Sequence, residues 1–183
     1  MKLMFISDIH GSLYWLNRVL EHVELEKPDQ IILLGDYLYH GPRNPLPEQY
    51  DPAQAAERLN QYRHLITAIR GNCDAEVDQM LLQFPMMGDQ VQIYDEGRRI
   101  FATHGHIRSM EHLPPLEKGD IFIQGHTHIP VAEIRDGVYL LNPGSISLPK
   151  EQWPNSYGLM ESGEFKVRDF SGNILKQISL DRN

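Results

Sequence analysis

Five short apolar runs in this chain each end in residues that commonly bind metal ions, and no other feature constrains the fold as much. The residues that follow the runs are Asp8-Ile9-His10, Gly35-Asp36, Gly71-Asn72, Thr103-His104-Gly105-His106 and Gly125-His126-Thr127-His128. We call these five the motif segments. A short apolar run bounded by turn residues is typical of a buried strand. Open α/β sheets place their sites beyond the carboxyl ends of strands, so we expect the motif segments to meet there.

The first half of the chain has the pattern of alternating strands and helices. Ser12 is a candidate helix N-cap, and the apolar residues after it recur at helical spacing. Four prolines between residues 37 and 52 predict a long loop. Alanine-rich residues 53–64 predict a second helix. Buried strands are predicted at Leu3 to Ile6, Gln30 to Leu34 and Leu65 to Ile69.

The second half has strand patterns joined by turns, among them a strong hairpin signal at Asp136-Gly137 and a turn at Asp95-Glu96-Gly97. A βαβ half followed by a mostly antiparallel half predicts an α/β fold in which two mixed β-sheets face each other and helices flank them. The length of 183 residues favours one domain, spanning residues 1–183.

Composition and charge exclude several classes of function. The net charge is −8 and the sequence has no basic stripe interleaved with aromatic residues, so we do not expect a nucleic-acid partner. No apolar stretch approaches the roughly 20 residues that a membrane span needs, and the start of the chain lacks a signal-sequence pattern. Cys73 is the one cysteine, which fits a reducing compartment. These observations predict a cytoplasmic protein.

Spacing within two of the motif segments suggests which side chains point the same way. Asp8 and His10 are two residues apart, as are His126 and His128, and alternation along an extended strand would send each pair to one side. The remaining candidate metal ligands, from the other three segments, are Asp36, Asn72 and His104.

This set of side chains suits a pair of divalent ions. Two ions some 3.5–4 Å apart need a shared carboxylate, for which Asp36 is the candidate. Only Asp8 and Asp36 offset the charge of the ions, so the surplus positive charge would lower the pKa of a bridging water and attract an anionic phosphate ester. Oxygen and nitrogen ligands without thiolate favour manganese, iron, zinc or cobalt over magnesium or calcium.

The motif segments, in this order, resemble those of the calcineurin-like metallophosphoesterase superfamily. The chain length and Asn142-Pro143-Gly144-Ser145 are similar to its small bacterial and archaeal phosphodiesterase branch, and the resemblance extends from Asp8 to about Ser145. It implies a β-sandwich flanked by helices and two divalent ions, with manganese preferred and iron, zinc, cobalt or nickel as alternatives. It also implies that Asp8, His10, Asp36 and His128 hold one ion and that Asp36, Asn72, His104 and His126 hold the other.

Cys73 departs from the pattern of the superfamily, which commonly has a histidine there as general acid. A thiol is a poorer proton donor than an imidazolium, and general acid catalysis typically contributes about 10²–10⁴-fold. We therefore expect weak activity on esters with poor leaving groups. The predicted catalytic residues are Asn72, His104 and Cys73, and the identity of the proton donor is open. Cys73 is not expected to act as a nucleophile.

The resemblance implies hydrolysis of a small-molecule phosphodiester by a water or hydroxide that bridges the two ions. The ligands alone do not separate a diesterase from a monoesterase, although the lack of a basic cluster for a dianion favours diesters. A non-catalytic interaction scaffold of the same fold is the alternative from another class. Assembly into a homo-oligomer is left open. Tyr39, His40 and Arg43 either line a substrate entrance or are solvated loop residues. His106 either faces phosphate or is solvated. Arg70 could contact phosphate, but an arginine at the end of a strand is more often an ion-pair partner.

Overall fold

Strands and helices alternate in the first half of the chain, and strands joined by loops make up the second half. The computed structural model describes residues 1–95 and 97–180. In chain order its elements are β1 Leu3–Ile6, α1 Leu13–Glu26, β2 Gln30–Leu33, α2 Pro52–Gln61, β3 Ile66–Ala68, α3 Glu76–Leu81, β4 Gln90–Asp95, β5 Arg98–Thr103, β6 Ile121–Ile123, β7 Pro130–Arg135, β8 Val138–Pro143, β9 Ser156–Glu161, β10 Glu164–Asp169 and β11 Ile174–Ser179.

These strands form two mixed sheets. The first has the order β11-β10-β9-β1-β2-β3, in which β1, β2 and β3 are parallel and β9 to β11 are added antiparallel. The second has the order β4-β5-β6-β8-β7, in which β5, β6 and β8 are parallel. The predicted architecture of two facing mixed sheets is therefore confirmed, with two parallel pairings in the second half that the sequence pattern did not indicate.

Apolar side chains fill three layers around the sheets. One layer lies between the sheets and includes Phe5, Ile32 and Ile123, all fully buried. A second layer joins the outer face of the first sheet to α1 and α2. The outer face of the second sheet is covered by apolar residues of the connection between β5 and β6, among them Met110 and Leu113, rather than by a helix. Burial of apolar surface of this kind is the main stabilising contribution to folding.

The first helix forms where its cap and periodicity predict it. The Trp15 amide donates to Ser12 Oγ at 3.3 Å, and the apolar face of α1 is buried. The second helix starts with the Asp51 side chain as its cap and Pro52 in its first turn, and it ends at Gln61, three residues before the predicted end. The hairpin of β7 and β8 turns at Asp136 and Gly137, both with positive φ, as an Asp-Gly turn requires.

Two predictions are only partly covered by the described residues. The turn at residues 95–97 contains Glu96, which lies outside them, although β4 and β5 pair antiparallel on either side of it. The single domain predicted over residues 1–183 stays a prediction, and residues 181–183 lie outside the described part. In the part that the structure describes, no helix is long and apolar enough to cross a membrane.

Candidate metal centre

The loops that follow β1, β2, β3, β5 and β6 meet at one end of the sandwich, as the strand pattern predicts. Backbone hydrogen bonds join neighbouring loops: the Asp8 amide donates to Gly35 O at 3.1 Å, and the His10 amide donates to Asp36 O at 2.9 Å. His104 bridges the two sheets, because its Nδ1 lies 2.6 Å from Leu34 O. The motif segments therefore form one connected site at the carboxyl ends of the parallel strands.

The backbone reaches this arrangement by a route that strand alternation does not describe. The first strand ends at Ile6, before Asp8, and five candidate ligands have left-handed backbones with φ between 50° and 64°: Asp8, His10, Asp36, His126 and His128. Asp8 and His10 are therefore not placed by strand alternation, and that prediction is wrong, although both side chains do reach the site. A left-handed conformation costs a non-glycine residue roughly 1–2 kcal/mol, and such strain is characteristic of functional sites.

The buried carboxylates and imidazoles converge on a small volume. Around Asp8, the His128 Nε2 lies 3.1 Å and the His10 Nε2 lies 3.7 Å from Oδ1. Around Asp36, Oδ2 lies 3.7 Å from His10 Nε2 and 3.5 Å from His104 Nε2. Asp36 thus faces both His10 and His104, which is the position expected of a shared ligand.

Each of the three buried rings has its outer nitrogen bonded to a backbone carbonyl. The Nδ1 of His10 donates to Tyr39 O at 2.9 Å, that of His104 donates to Leu34 O, and that of His128 donates to Leu148 O. A carbonyl only accepts, so the hydrogen of a neutral ring lies on Nδ1 and the Nε2 lone pair points into the cluster. This tautomer is the one that metal-bound histidines adopt.

When the rings are neutral, the cluster consists mainly of acceptors that face one another. Asp8 Oδ1 is buried and has no hydrogen-bond partner among the described residues, whereas its Oδ2 accepts from Ser7 Oγ at 2.6 Å and from the His126 amide at 3.1 Å. A buried carboxylate oxygen that faces imidazole lone pairs needs a positive charge. The donor set of carboxylates, imidazoles and an amide fits a divalent ion.

The pKa values of the ligand groups reflect the same need for positive charge. Burial alone would lower the pKa of His104, but its bond to Asp36 and the charge of Asp8 raise it to about 9. Burial and the Lys150 ammonium lower the pKa of His128, and the Asp8 carboxylate overcomes them, so the net shift is upward. Burial disfavours ionised Asp8, yet the charges on His128, His104 and His10 keep its pKa below the ordinary range.

The other predicted residues lie at the edge of this cluster. Asn72 Oδ1 is 3.1 Å from His104 Nε2. The His126 ring packs against that of His104, with centroids 5.0 Å apart, but among the described residues it is outside the three tight groups of candidate ligand atoms. Cys73 is in such a group with His10 and Asp36, where no thiolate ligand was predicted. Arg70 is paired with Asp89 at 2.8 Å, in line with the structural alternative for this residue.

Asp74 is a site residue that the sequence analysis did not assign. Its buried carboxylate accepts the amide hydrogens of Asp36 at 2.8 Å, Tyr37 at 2.8 Å and Gly71 at 2.6 Å. Burial, followed by the charge of Asp36, raises the pKa of Asp74 to about 7. In the sequence, Asp74 is marked only as an acidic residue two positions after Asn72. In the structure it joins the second and third motif segments through the amides of Asp36 and Gly71.

The segment from Asn142 to Ser145 is buried beneath the first motif segment. Ser145 Oγ donates to Asp8 O at 2.9 Å, and Ser147 Oγ donates to the same oxygen at 2.8 Å. Asn142 Nδ2 donates to Gly125 O at 2.8 Å. The segment therefore supports the left-handed backbone at Asp8.

A cavity of about 390 Å³ opens over the cluster, which is within the size range of small-molecule sites. Asn72, Cys73 and His126 line it on the side of the motif segments, and Arg43, Asn44 and Lys150 line it from two other loops. Of the three loop residues that were candidates for a substrate entrance, only Arg43 lines this cavity.

Comparisons with known proteins agree with this arrangement. The model of the calcineurin-like phosphoesterase superfamily domain matches residues 1–164. The chain is 48% identical to phosphodiesterase YfcE of Escherichia coli K12 over 99% of both chains, and the solved structure of YfcE superposes with a TM-score of 0.97 over 99% of this chain and 100% of that one.

More distant relatives share the architecture. The probable metallophosphoesterase YsnB of Bacillus subtilis is 26% identical over 97% of this chain and 96% of its own length. Vacuolar Protein Sorting 29 of Cryptosporidium parvum is 17% identical over 97% of both chains, with a TM-score of 0.63. This last likeness shows a common fold and nothing about activity.

Proposed function

Because the chain belongs to the calcineurin-like phosphoesterase superfamily, we propose that it is a phosphodiesterase that cleaves small-molecule phosphate diesters with two bound divalent ions. Its relative YfcE carries the name of a phosphodiesterase and is similar over the whole chain. Manganese is the ion that we propose first, since the ligands are oxygen and nitrogen atoms with one neutral amide. The superfamily as a whole uses divalent metals, and the candidate ligands lie in tight groups.

One observation carries the proposal: the Asp36 carboxylate faces both His10 and His104. Its Oδ2 lies 3.7 Å from His10 Nε2 and 3.5 Å from His104 Nε2. We propose that Asp36 is shared between two ions. One ion would be held by Asp8, His10, Asp36 and His128, and the other by Asp36, Asn72, His104 and His126. Bound divalent ions supply Lewis acidity and lower the pKa of a coordinated water.

The residues of the chain have separate tasks in this scheme. The Nδ1 bonds to carbonyls fix the imidazole planes, so that Nε2 is available without rotation of the ring. Asn72 lies both in the cavity and beside His104, where its amide can orient a phosphoryl oxygen. Gly41, Pro42 and Cys73 also line the cavity.

Cys73 does not supply an acidic proton in this arrangement. Burial, followed by the charge of Asp36, raises the pKa of its thiol well above the ordinary value, so the thiol holds its proton. The leaving group must then depart as an anion or take its proton from solvent. We therefore propose that the preferred substrates are diesters whose leaving groups are stable anions.

A paired assay on metal-stripped protein tests the function. Hydrolysis of bis(p-nitrophenyl) phosphate and of p-nitrophenyl phosphate is compared with and without manganese, in the native chain and in Asp36→Asn. We expect manganese-dependent cleavage that favours the diester and is lost in the variant. Cleavage that favours the monoester would support a phosphomonoesterase instead. Metal analysis of the purified protein should give close to two ions per chain.

The interaction scaffold is the competing function, and the likeness to Vacuolar Protein Sorting 29 keeps it in view. A scaffold of this fold has no need for buried imidazoles with converging lone pairs, which this chain retains. Absence of cleavage with every divalent metal, together with substoichiometric metal, would favour the scaffold. A cytoplasmic location remains part of the proposal, based on the single cysteine. Fractionation of the cells that produce the protein would test it.

A further inference from the structure

Two cationic side chains line the cavity over the candidate metal centre. Arg43 comes from the proline-rich loop after β2, and Lys150 comes from the loop after β8. Neither belongs to the motif segments, and neither forms an ion pair with another residue that the structure describes. Apart from the candidate ligands Asp36, His126 and His128, these are the charged residues that line the cavity. This local positive charge contrasts with the net charge of −8.

Backbone contacts hold both residues close to the site. The Asn44 amide donates to Gly41 O at 3.4 Å, and Asn44 Nδ2 donates to His40 O at 2.9 Å, which closes a turn around Arg43. A Cβ atom on Gly41 would lie 3.1 Å from Cys73 Sγ, so this turn packs on the residue that directly follows the third motif segment.

Lys150 is held to a different motif segment, the one that contains His128. Its amide donates to His128 O at 3.3 Å, and its carbonyl accepts from the Trp153 amide at 3.0 Å. The side chain is exposed, but its ammonium is near enough to act on His128 electrostatically. The cavity is thus bordered by cations from two separate loops. One loop packs on Cys73, and the other is hydrogen-bonded to His128.

The scissile phosphate of a diester carries one negative charge. Two divalent ions, two carboxylates and a bridging hydroxide together leave one positive charge, which already balances it. Additional cations are useful when the substrate has another anionic group. We propose that Arg43 and Lys150 bind a second phosphate on the substrate, and that the natural substrates are phosphodiesters bearing a further phosphate group. Arginine offers a planar fork for two phosphate oxygens, and lysine acts as a point charge. This inference rests on the proposed diesterase function.

A matched pair of substrates isolates the second phosphate. Thymidine 5′-(p-nitrophenyl phosphate) and its 3′-phosphorylated form share the scissile bond and the leaving group. We expect the native chain with manganese to prefer the 3′-phosphorylated form by about tenfold in kcat/KM, mainly through KM. Arg43→Gln and Lys150→Gln should each reduce this preference by about three- to tenfold, as expected for charge-assisted contacts made by exposed side chains. Added salt should weaken the preference.

A control and a binding measurement complete the test. Lys118→Gln removes an exposed cation before β6, at the opposite end of that strand from the site, and should leave the preference unchanged. Calorimetry with thymidine 3′,5′-bisphosphate should show the same loss of affinity in the two cavity variants and none in the control.

The possible failures are distinguishable. Equal cleavage of both substrates by the native chain would overturn the second-phosphate site and leave the diesterase function intact. An equal loss on both substrates in the variants would also overturn it, since the cations would then bind the scissile phosphate. Absence of manganese-dependent cleavage of either substrate would overturn the proposed function and this inference with it.

Discussion

The Nε2 atoms of His10 and His128 lie 3.4 Å apart, and both rings have their Nδ1 bonded to a backbone carbonyl. Two neutral rings in this tautomer direct their lone pairs at each other and at the unpartnered Asp8 Oδ1. Such an arrangement is stable when a cation lies among the three groups, and a divalent ion meets the requirement better than a single proton. The backbone carbonyls that orient these two rings thus also determine where a metal ion can bind.

Metal should therefore stabilise the folded chain. Manganese at one hundred times its dissociation constant should add about 2.7 kcal/mol to the free energy of unfolding for each ion bound. His128→Gln should weaken metal binding at least about tenfold, and the stabilisation should shrink accordingly. Thermal unfolding of metal-stripped protein, with and without manganese, measures this. His64→Gln changes an exposed histidine outside the cluster and is the control. The same rise of Tm in both variants would contradict the assignment.

Metal affinity should increase with pH over an unusually high range. A histidine must be deprotonated to bind a metal ion. Although burial lowers the pKa of His104, its bond to Asp36 and the charge of Asp8 raise it to about 9, so protons compete with the ion below that pH rather than below about 6.5. Affinity should rise about tenfold per pH unit for each displaced proton until the pH approaches about 9, and activity at limiting manganese should fall as the pH is lowered below that value.

Calorimetric titration with manganese at pH 6, 7 and 8, in buffers of different ionisation enthalpy, measures both the affinity and the protons released. An affinity that stays constant across this range without proton release would show that the ion binds elsewhere. A rate that stays flat down to about pH 5 would contradict the prediction for activity.

Cys73→His should introduce the missing proton donor. The thiol keeps its proton because burial and the charge of Asp36 raise its pKa, whereas an imidazolium has an ordinary pKa of about 6.5. We expect the rate to rise about 10²-fold or less for poor leaving groups, and to change little for p-nitrophenolate. Rates on a series of aryl diesters give the dependence on the pKa of the leaving group. Cys73→Ser is the control, and an unchanged slope in the histidine variant would contradict this role.

Asp74→Asn should loosen the site without a change of ligand. Oδ2 of Asp74 accepts from the Asp36 and Gly71 amides and Oδ1 accepts from the Tyr37 amide, and an asparagine nitrogen would face a donor at one of these positions. Replacement of a group that orients a ligand typically costs 10–100-fold in metal affinity or activity. Asp78→Asn is the matched control, because Asp78 accepts from the Ala75 amide outside the cluster. Equal metal affinity in the two variants would refute a positioning role.

The fold and the meeting of the motif segments at one end of it could be predicted because each depends on a local pattern. Short apolar runs mark buried strands, and the residues after them lie at the ends of those strands. The left-handed backbones at Asp8 and Asp36 could not be predicted, because positive φ is uncommon outside glycine, and the enrichment of Asp and His there is too weak to single out particular positions. Asp74 was missed for a similar reason, since its partners are backbone amides of segments that are distant in sequence. The parallel pairing of β5 with β6 depends on a connection without a helix, which periodicity does not reveal.

Two glycines of the motif segments are needed for space rather than for a turn. Gly35 and Gly105 have positive φ, as a turn requires, whereas the backbones of Gly71 and Gly125 are not left-handed. A Cβ atom on Gly71 would lie 2.0 Å from Asp36 Oδ1 and 2.4 Å from the Asp36 amide nitrogen. Gly71 is thus required for the close approach of two motif segments rather than for its own backbone conformation.

Gly71→Ala should accordingly displace Asp36, the proposed shared ligand. Overpacking typically costs about 1–3 kcal/mol of stability, and we expect activity to fall by more than about 100-fold, because a shift of about 1 Å in a catalytic group has an effect of that size. Gly88→Ala is the matched control, since its nearest neighbour to a new Cβ would be Gln90 O at 3.8 Å. Metal content, unfolding and diester cleavage are measured on both variants. If Gly71→Ala retained two ions and full activity, the contact between Gly71 and Asp36 would not determine the position of that ligand.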